Sequence, residues 1–204
     1  MDETTWVQRA QAGDEAAFAH LVETYQSYVY NLAYRMLGHR QDAEDAAQET
    51  FLRAYRQLAT FRPEQRFSSW LLAIDAHYCV DQLRRRRFQW LSLEEAPVVG
   101  TLSSREPGPE DIALSSEQRD AVRRMLDRLP TRYRLVTLLR YSYDLSVAEI
   151  ASVVGASEGA VKTQLCRARQ MLVEIVGSGE EQGQWKTTPA RSSIVATPVQ
   201  AHAV

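Results

Sequence analysis

Apolar residues recur at helical spacing over three long stretches in the first half of the chain. The first stretch begins after Asp14, whose carboxylate suits a helix N-cap, and ends at Gly38, which suits a helix C-terminus. A second stretch covers residues 41–58, and a third begins near Ser68 and reaches the arginines at 84–87. No stretch shows the strict alternation of a half-buried strand. The pattern therefore predicts an all-α fold.

Helical periodicity fails in the segment LSLEEAPVVGTLSSREPGP, which is rich in proline, glycine, serine and glutamate. This composition is typical of a flexible linker, here an acidic one. Helical spacing returns after Pro109 and again after Pro130, and it disappears after Val176. We therefore expect two small helical domains joined by a flexible linker. The expected boundaries are 1–90 for the first domain, 91–109 for the linker, 110–176 for the second domain and 177–204 for a disordered tail.

The end of the second domain has the pattern of a helix-turn-helix. Ser146 and Glu149 can form a capping box in front of a short apolar helix, and Gly155 supplies the backbone freedom of a tight turn. Ser157 then caps a second helix. A helical hairpin used only for packing would have a similar outline, so the DNA-binding interpretation also depends on the rest of the chain. The outward positions of the second helix are small, polar or basic, as a major-groove helix requires: Gly159, Lys162, Thr163, Cys166 and Arg167.

The net charge of −2 conceals separate acidic and basic blocks along the chain. Residues 1–61 hold nine acidic side chains against five basic ones, whereas residues 121–176 hold nine basic side chains against five acidic ones. Association with nucleic acid depends on the local field more than on the total charge. This alternation indicates two kinds of partner, DNA and a basic protein surface.

The cysteines and the apolar runs narrow the class of protein further. Cys79 and Cys166 lie far apart, with no histidine or cysteine at metal-ligand spacing near either. The sequence therefore predicts neither a disulfide framework nor a zinc site, and no cofactor. No apolar run approaches the roughly 20 residues that a membrane span needs, and the polar, acidic N-terminus is unlike a signal peptide. We expect a cytoplasmic protein without membrane insertion.

The third predicted helix has an unusual mixture of residues on the side opposite its apolar face. Aromatic, hydrogen-bonding and cationic groups share this stripe, which suits a surface where unstacked bases rest while arginines follow the backbone. The alternative is that Trp70 and Ile74 pack on a neighbouring helix and that the arginines are a solvated end. The stripe comprises Trp70, Ile74, His77, Tyr78, Asp81, Arg84 and Arg85.

The second predicted helix carries an acidic stripe formed by Asp42, Asp45 and Glu49, with Gln48 and Leu52 beside it. Like charges at this spacing destabilise a helix slightly, so a basic partner surface would account for them. A solvated acidic face is the ordinary alternative. A metal site that adds His39 to the stripe is disfavoured, because no second element supplies further ligands.

Two segments together resemble a known family. DAEDAAQETFLRAYRQLATFRPEQRFSSWLLAIDAHYCVDQLRRRRF and, much later, LPTRYRLVTLLRYSYDLSVAEIASVVGASEGAVKTQLCRARQML are similar to the two conserved domains of the extracytoplasmic-function (ECF) class of bacterial sigma-70 family sigma factors. The resemblance covers about residues 12–176. The acidic helix, the F-x-x-W-L helix, the arginine run and the helix-turn-helix follow the order of that family.

The resemblance implies a non-enzymatic promoter-recognition factor whose partners are core RNA polymerase, promoter DNA and an anti-sigma factor. The first domain would contact the β′ clamp helices of the polymerase and the melted −10 element, and the second would contact the β flap and the −35 element. The implied polymerase-binding residues are Asp42, Asp45, Gln48, Glu49 and Leu52. The implied −10 residues are Phe61, Arg62, Arg66, Phe67, Trp70, His77, Tyr78, Arg84 and Arg85, and the implied −35 residues are Ser157, Glu158, Gly159, Lys162, Thr163, Cys166 and Arg167.

Two positions depart from the family pattern. His77 stands where family members usually have asparagine, so its hydrogen-bonding pattern to a base depends on tautomer and charge. Ala160 stands where threonine is common, which removes a possible phosphate contact.

Two other classes of protein remain as alternatives. A helix-turn-helix regulator acting without polymerase would leave the acidic helix and the Trp70 stripe without a role, and it predicts tight duplex binding by the protein alone. A carboxylate-based hydrolase using the Asp42 cluster would need further ligands or a nucleophile that the sequence does not offer.

Overall fold

A computed structural model describes residues 2–92 and 116–180. Within these ranges the regular structure is entirely helical, which confirms the all-α prediction. A single 3-10 turn, Leu58–Thr60, follows the third helix. The helices are α1 (Glu3–Gln11), α2 (Glu15–Leu37), α3 (Arg40–Gln57), α4 (Phe67–Ser92), α5 (Ser116–Asp127), α6 (Thr131–Tyr141), α7 (Val147–Val154) and α8 (Glu158–Glu180).

Local capping chemistry sets several of the helix ends. The Asp14 carboxylate accepts a hydrogen bond from the backbone N–H of Ala17 at 3.1 Å, at the start of α2. Gly38 ends α2 in the left-handed region at φ +83°, and Gly155 ends α7 at φ +63°. The predicted ends are confirmed. They could be predicted because each depends only on residues within one helical turn.

Helices α1–α4 form the first group around a buried apolar core. Helix α2 lies against α1, α3 and α4, and α3 also packs on α4. Helix α1, which the periodicity did not predict, buries Val7 and Ala10. Its Gln11 side chain donates hydrogen bonds to the carbonyls of Leu58 and Phe61 at 2.9 and 3.0 Å. Full burial of a Leu or Phe side chain stabilises the folded state by about 1.5–3 kcal/mol relative to an exposed side chain. Apolar contacts between α1 and its neighbours therefore stabilise both.

A buried carboxylate lies between α3 and α4. Asp75 is 0% exposed, and its Oδ1 accepts hydrogen bonds from Thr50 Oγ1 at 3.2 Å and Cys79 Sγ at 3.6 Å. Its Oδ2 has no hydrogen-bond partner among the described residues. Burial raises the pKa of Asp75 to about 7, against the opposing effect of these two hydrogen bonds. The carboxyl group therefore stays largely protonated below neutral pH.

Helices α5–α8 form the second group, in which α6 and α7 pack on α8. The capping box is complete, since Ser146 Oγ accepts from the Glu149 N–H at 3.2 Å and a Glu149 carboxylate oxygen accepts from the Ser146 N–H at 2.8 Å. Val161, Leu165 and Ala168 of α8 are buried against this group. The predicted helix-turn-helix is therefore present.

The two groups are packed directly on each other. One continuous cluster of buried residues includes Leu72 and Ala76 of α4 together with Ile150 and Ala151 of α7. Arg123 of α5 donates to the hydroxyl of Tyr34 and to the Gly38 carbonyl, and its guanidinium lies 4.6 Å from the Tyr34 ring centroid. The sequence predicted two domains and did not predict this contact.

The predicted domain boundaries differ slightly from the helix ends. Helix α4 continues to Ser92, two residues into the expected linker, and α8 continues to Glu180, past the expected start of the tail at 177. Both helices extend over positions where apolar spacing had already weakened. The remainder of the predicted linker up to residue 109, and the predicted tail beyond Glu180, lie outside the described residues.

Candidate nucleic-acid and protein interfaces

Helix α8 presents one polar, basic face to solvent. It begins after Ser157, whose hydroxyl accepts a hydrogen bond from the Ala160 N–H at 3.2 Å. Lys162 lies 3.8 Å from Glu158 in an exposed ion pair, which contributes little to stability and leaves the ammonium available. The seven residues that the resemblance assigned to the −35 element are all exposed: Ser157, Glu158, Gly159, Lys162, Thr163, Cys166 and Arg167.

Two members of this face have partners inside the second group of helices. Thr163 donates its hydroxyl hydrogen to the Gly159 carbonyl at 2.9 Å, which leaves its oxygen lone pairs as acceptors. The Arg167 side chain lies close to the hydroxyl of Tyr133 on α6 and lowers the pKa of that hydroxyl. Tyr133 and its neighbour Arg132 were not among the predicted site residues, because the contact joins two helices that are distant in sequence.

The predicted −10 surface is only partly exposed. Trp70 lies between two phenylalanines, with ring centroids 5.3 Å from Phe61 and 5.6 Å from Phe67. Phe61 and Phe67 are only 6% and 1% exposed, so in this structure neither ring can stack on a base. Ile74 packs against the same cluster, which is the alternative that the sequence left open. The two phenylalanines therefore position Trp70 and the loop before α4, and their own ring faces are not available to a base.

The remaining predicted −10 residues lie at the surface or close to it. Arg62, Arg66, His77, Arg84 and Arg85 are exposed, whereas Tyr78 is half-buried. The guanidinium of Arg53 lies 5.1 Å from the Tyr78 ring centroid, a cation–π contact that holds the ring in place. A surface combining a supported aromatic side chain with exposed guanidinium groups can hold single-stranded nucleic acid.

The acidic stripe on α3 is partly neutralised by basic side chains of the chain itself. Asp42 pairs with Arg86 of α4 at 2.6 Å, and Glu49 pairs with Arg53 one turn further along α3 at 2.7 Å. The first pair could not be read from the stripe itself, because Arg86 belongs to another helix. Asp45 remains exposed and accepts a 3.4 Å hydrogen bond from Gln41.

An apolar groove lies beside the acidic stripe, between α2 and α3. It has a volume of about 660 Å³. Its walls belong to α2 and α3, whose packing against each other the sequence pattern did not predict. Leu52 and Tyr55 are 52% and 50% exposed along it. The lining residues are Glu15, Phe18, Val22, Gln26, Ala47, Gln48, Phe51, Leu52 and Tyr55. Exposed apolar area with an acidic rim is typical of a protein-binding surface.

Neither a membrane-spanning helix nor a metal-binding cluster is found in residues 2–92 and 116–180. No helix there is long and apolar enough to cross a bilayer. No group of three or more His, Cys, Asp or Glu side chains in the same ranges is placed to hold a metal ion.

The helix-turn-helix, the aromatic and basic surface of α4 and the acidic α3 define a DNA-binding transcription protein, and comparison with known proteins identifies its family. The family pattern described as Sigma-70 region 2 matches residues 21–89, and Sigma-70, region 4 matches residues 119–172. The ECF RNA polymerase sigma factor SigW of Bacillus subtilis is 36% identical over 172 residues, covering 81% of this chain and 92% of the relative. The ECF RNA polymerase sigma-E factor of Escherichia coli is 35% identical over 172 residues, covering 81% and 90%.

Solved structures agree with these sequence matches. CnrH, solved in complex with the cytosolic domain of CnrY, has a TM-score of 0.63 and 26% identity, covering 86% of this chain and 97% of that one. The sigma factor RpoE of Bartonella quintana, solved in complex with the anti-sigma factor NepR, has a TM-score of 0.65 at 20% identity, covering 78% and 96%, and supports the fold alone.

The chain belongs to the ECF sigma factors of the sigma-70 family, which recognise promoters and initiate transcription with RNA polymerase. The alternative of a helix-turn-helix regulator acting without polymerase is not favoured. Sigma factors are non-enzymatic DNA-binding regulators.

Proposed function

We propose that residues 1–90 and 110–176 act as two promoter-binding domains, each with a defined surface. The exposed basic face of α8 supports the proposal most directly, because Val161, Leu165 and Ala168 are buried in packing while Lys162 and Arg167 remain at the surface. A recognition helix needs this division between a buried apolar side and an exposed polar one. In this proposal α8 contacts the −35 element through Ser157, Glu158, Gly159, Lys162, Thr163, Cys166 and Arg167.

The −10 element contacts the surface of α4 and the loop before it. Trp70, Tyr78 and His77 supply stacking and hydrogen bonding, and Arg62, Arg66, Arg84 and Arg85 supply backbone contacts. Flipping a base out of a duplex costs a few kcal/mol, which such contacts can offset. Phe61 and Phe67 support Trp70 from below, which limits its movement when a base stacks on it.

Core RNA polymerase binds α3 and the adjoining groove. Asp45 is the member of the acidic stripe that stays exposed and forms no ion pair within the described ranges, so it offers the strongest attraction of the three to a basic partner. Leu52 and Gln48 continue this surface into the apolar groove. Asp42 and Glu49 help to shape it through their pairs with Arg86 and Arg53. Apolar anchors surrounded by polar groups are the usual arrangement at a protein interface.

The protein has no catalytic residues in this proposal and works in the cytoplasm, where polymerase and promoters are found. CnrH, which is 26% identical to this chain, was solved in complex with the cytosolic domain of CnrY, and this supports a further protein partner here, which we take to be an anti-sigma factor. The exposed surface of α3 is suited to such a competitor, because a protein covering it would exclude the polymerase.

The test combines a binding assay with run-off transcription from a pool of promoters. Asp45→Arg should reduce binding to purified core polymerase and abolish transcription, while the affinity of the protein for duplex DNA stays unchanged. Glu23→Arg, at an exposed acid on α2, makes the same change of charge away from the surface and serves as the matched control. Normal polymerase binding by Asp45→Arg would contradict the assignment of α3.

A second pair of variants tests the DNA surfaces in the same assay. Lys162→Gln should weaken transcription from all promoters, because it removes a cation from α8. His77→Asn should keep transcription active and change the preferred −10 sequences among the transcripts, because the amide presents a different set of donors and acceptors. Unchanged promoter preference with His77→Asn would remove His77 from the −10 surface.

A further inference from the structure

Two arginines from different helices meet at one phenol oxygen in the second group of helices. Arg132 donates from Nη2 to the Tyr133 hydroxyl at 2.9 Å, and its guanidinium carbon lies 4.6 Å from the Tyr133 ring centroid. The Arg167 side chain of α8 also lies close to that hydroxyl. These two guanidinium groups lower the pKa of Tyr133 below its usual value.

The tyrosine side chain is held firmly while both arginines remain at the surface. Tyr133 is only 3% exposed and packs with Leu129 and Ala168. Arg132 and Arg167 are exposed, and within residues 2–92 and 116–180 neither forms an ion pair with a carboxylate. Two positive charges thus share one neutral acceptor, an arrangement that an anion between them would stabilise.

We propose that Arg132, Tyr133 and Arg167 form a binding site for one phosphodiester group of duplex DNA beside the base-reading face of α8. Arg132 and Arg167 bind the phosphate, and Tyr133 is a positioning residue that fixes both guanidinium groups. This inference rests on the proposed function, because it places the phosphate next to the −35 element that α8 contacts. It adds Arg132, on α6, to the DNA surface.

The position of the site on α8 supports a phosphate rather than a base. Arg167 lies one turn after Thr163, at the end of the exposed face, and Arg132 lies beside it on a separate helix. A helix in the major groove faces the base edges, and the phosphates of the two DNA strands lie on either side of it. Planar guanidinium groups bind phosphate oxygens with two parallel hydrogen bonds, which suits this edge position.

The experiment measures binding of the full chain to a labelled mixed-sequence 30-base-pair duplex by fluorescence anisotropy, as a function of salt concentration. Arg132→Gln should lower the slope of log K against log salt by about 0.9, the value for one lost phosphate contact. Tyr133→Phe keeps both charges and should leave the slope unchanged, while affinity falls between about two- and tenfold because the arginines are no longer held. Arg128→Gln, at an exposed arginine near the end of α5, is the matched control.

The outcomes separate this inference from the proposed function. If Arg132→Gln leaves both slope and affinity unchanged, the phosphate site is overturned. If Arg128→Gln lowers both as much as Arg132→Gln does, the phosphate site is also overturned, because the effect is then one of total charge. If Lys162→Gln weakens binding and Arg132→Gln does not, the proposed −35 surface stands and the phosphate site alone fails. If neither Lys162→Gln nor Arg132→Gln weakens binding, both fail. Thermal unfolding checks that Tyr133→Phe folds, and the surface variant Arg132→Gln tests the site independently of that result.

Discussion

Ser69 and Glu149 are hydrogen-bonded to each other at 3.2 Å, although 80 positions separate them in the chain. Ser69 lies in the first turn of α4, and Glu149 completes the capping box of α7. Arg66 lies 3.5 Å from the same Glu149 oxygen. Although partial burial opposes ionisation, hydrogen bonds from Ser146 and Ser69 lower the pKa of Glu149. One carboxylate therefore caps the helix-turn-helix and also joins it to the predicted −10 surface.

Removing the Ser69 hydroxyl should weaken the contact between the two groups of helices. We expect Ser69→Ala to lower the free energy of unfolding in urea by about 1 kcal/mol, the usual net contribution of one hydrogen bond. Ser68→Ala, at the neighbouring serine, removes a hydroxyl that has no hydrogen-bond partner among the described residues and should change the stability by less than about 0.5 kcal/mol.

A double-mutant cycle attributes the effect to the pair. In a Glu149→Gln background, Ser69→Ala should lower the free energy of unfolding by measurably less than in the natural chain, because the charged acceptor has already been removed. Equal costs in the two backgrounds would show that Ser69 and Glu149 do not interact in solution.

Truncation of an exposed apolar side chain should affect partner binding and leave stability unchanged. Leu52 is 52% exposed beside the groove on α3, so Leu52→Ala removes little buried contact within the chain. We expect affinity for core polymerase to fall by about tenfold, corresponding to about 1.4 kcal/mol, with less than about 0.5 kcal/mol change in unfolding free energy. Val173→Ala, at a valine that is 72% exposed on α8, is the control. An equal loss of affinity with both variants would contradict a specific role for Leu52.

The parts of the structure that the sequence predicted depend on short-range chemistry. The Ser146 capping box, the Gly155 turn and the Asp14 cap each involve residues within one turn of helix, and all three are present. Burial of Val161 and Leu165 follows from the periodicity of α8 in the same way.

The parts that the sequence did not predict depend on contacts between distant residues. The Asp42–Arg86 ion pair, the approach of Arg167 to Tyr133 and the Ser69–Glu149 hydrogen bond each join two helices whose packing the pattern does not specify. The family resemblance placed Phe61 and Phe67 on the −10 surface, but tertiary packing buries both. Burial of a residue near a loop is decided by which neighbours surround it, and periodicity gives no information on those neighbours.

Replacing either of two glycines in the helix-turn-helix by alanine should change the stability of the protein, in opposite directions for the two positions. A Cβ at Gly155 or at Gly159 would meet no atom within 4 Å, so the difference between them is one of backbone conformation. Gly155 has φ +63°, where an L-residue is strained, and Gly155→Ala should destabilise the protein by about 1–2 kcal/mol. Gly159 lies in the first turn of α8, and Gly159→Ala should stabilise it by about 0.5–1 kcal/mol. Urea unfolding measures both, and the same sign for the two variants would contradict the left-handed turn at Gly155.

The buried carboxyl of Asp75 should make stability depend on pH. Its pKa is about 7 in the folded protein, against 3.8 when it is solvated. Between these values the unfolded chain releases a proton that the folded protein retains, so a rise in pH favours unfolding. This contribution to stability is fully present below about pH 4 and is lost as the pH rises to about 7. Between these values the free energy of unfolding falls by up to about 1.4 kcal/mol per pH unit.

Asp75→Asn keeps the size of the side chain and removes its titration, so it should remove this loss. The variant should gain stability relative to the natural chain as the pH is raised from about 4 to about 7, and the difference should stay constant at higher pH. Urea unfolding at intervals of half a pH unit measures the difference. Asp81→Asn is the control, because Asp81 lies on the same helix but is about half exposed and pairs with Arg84 at 3.0 Å. Parallel pH profiles for Asp75→Asn and the natural chain would show that Asp75 is ionised in the folded protein across this range, which would require a partner for its Oδ2 atom.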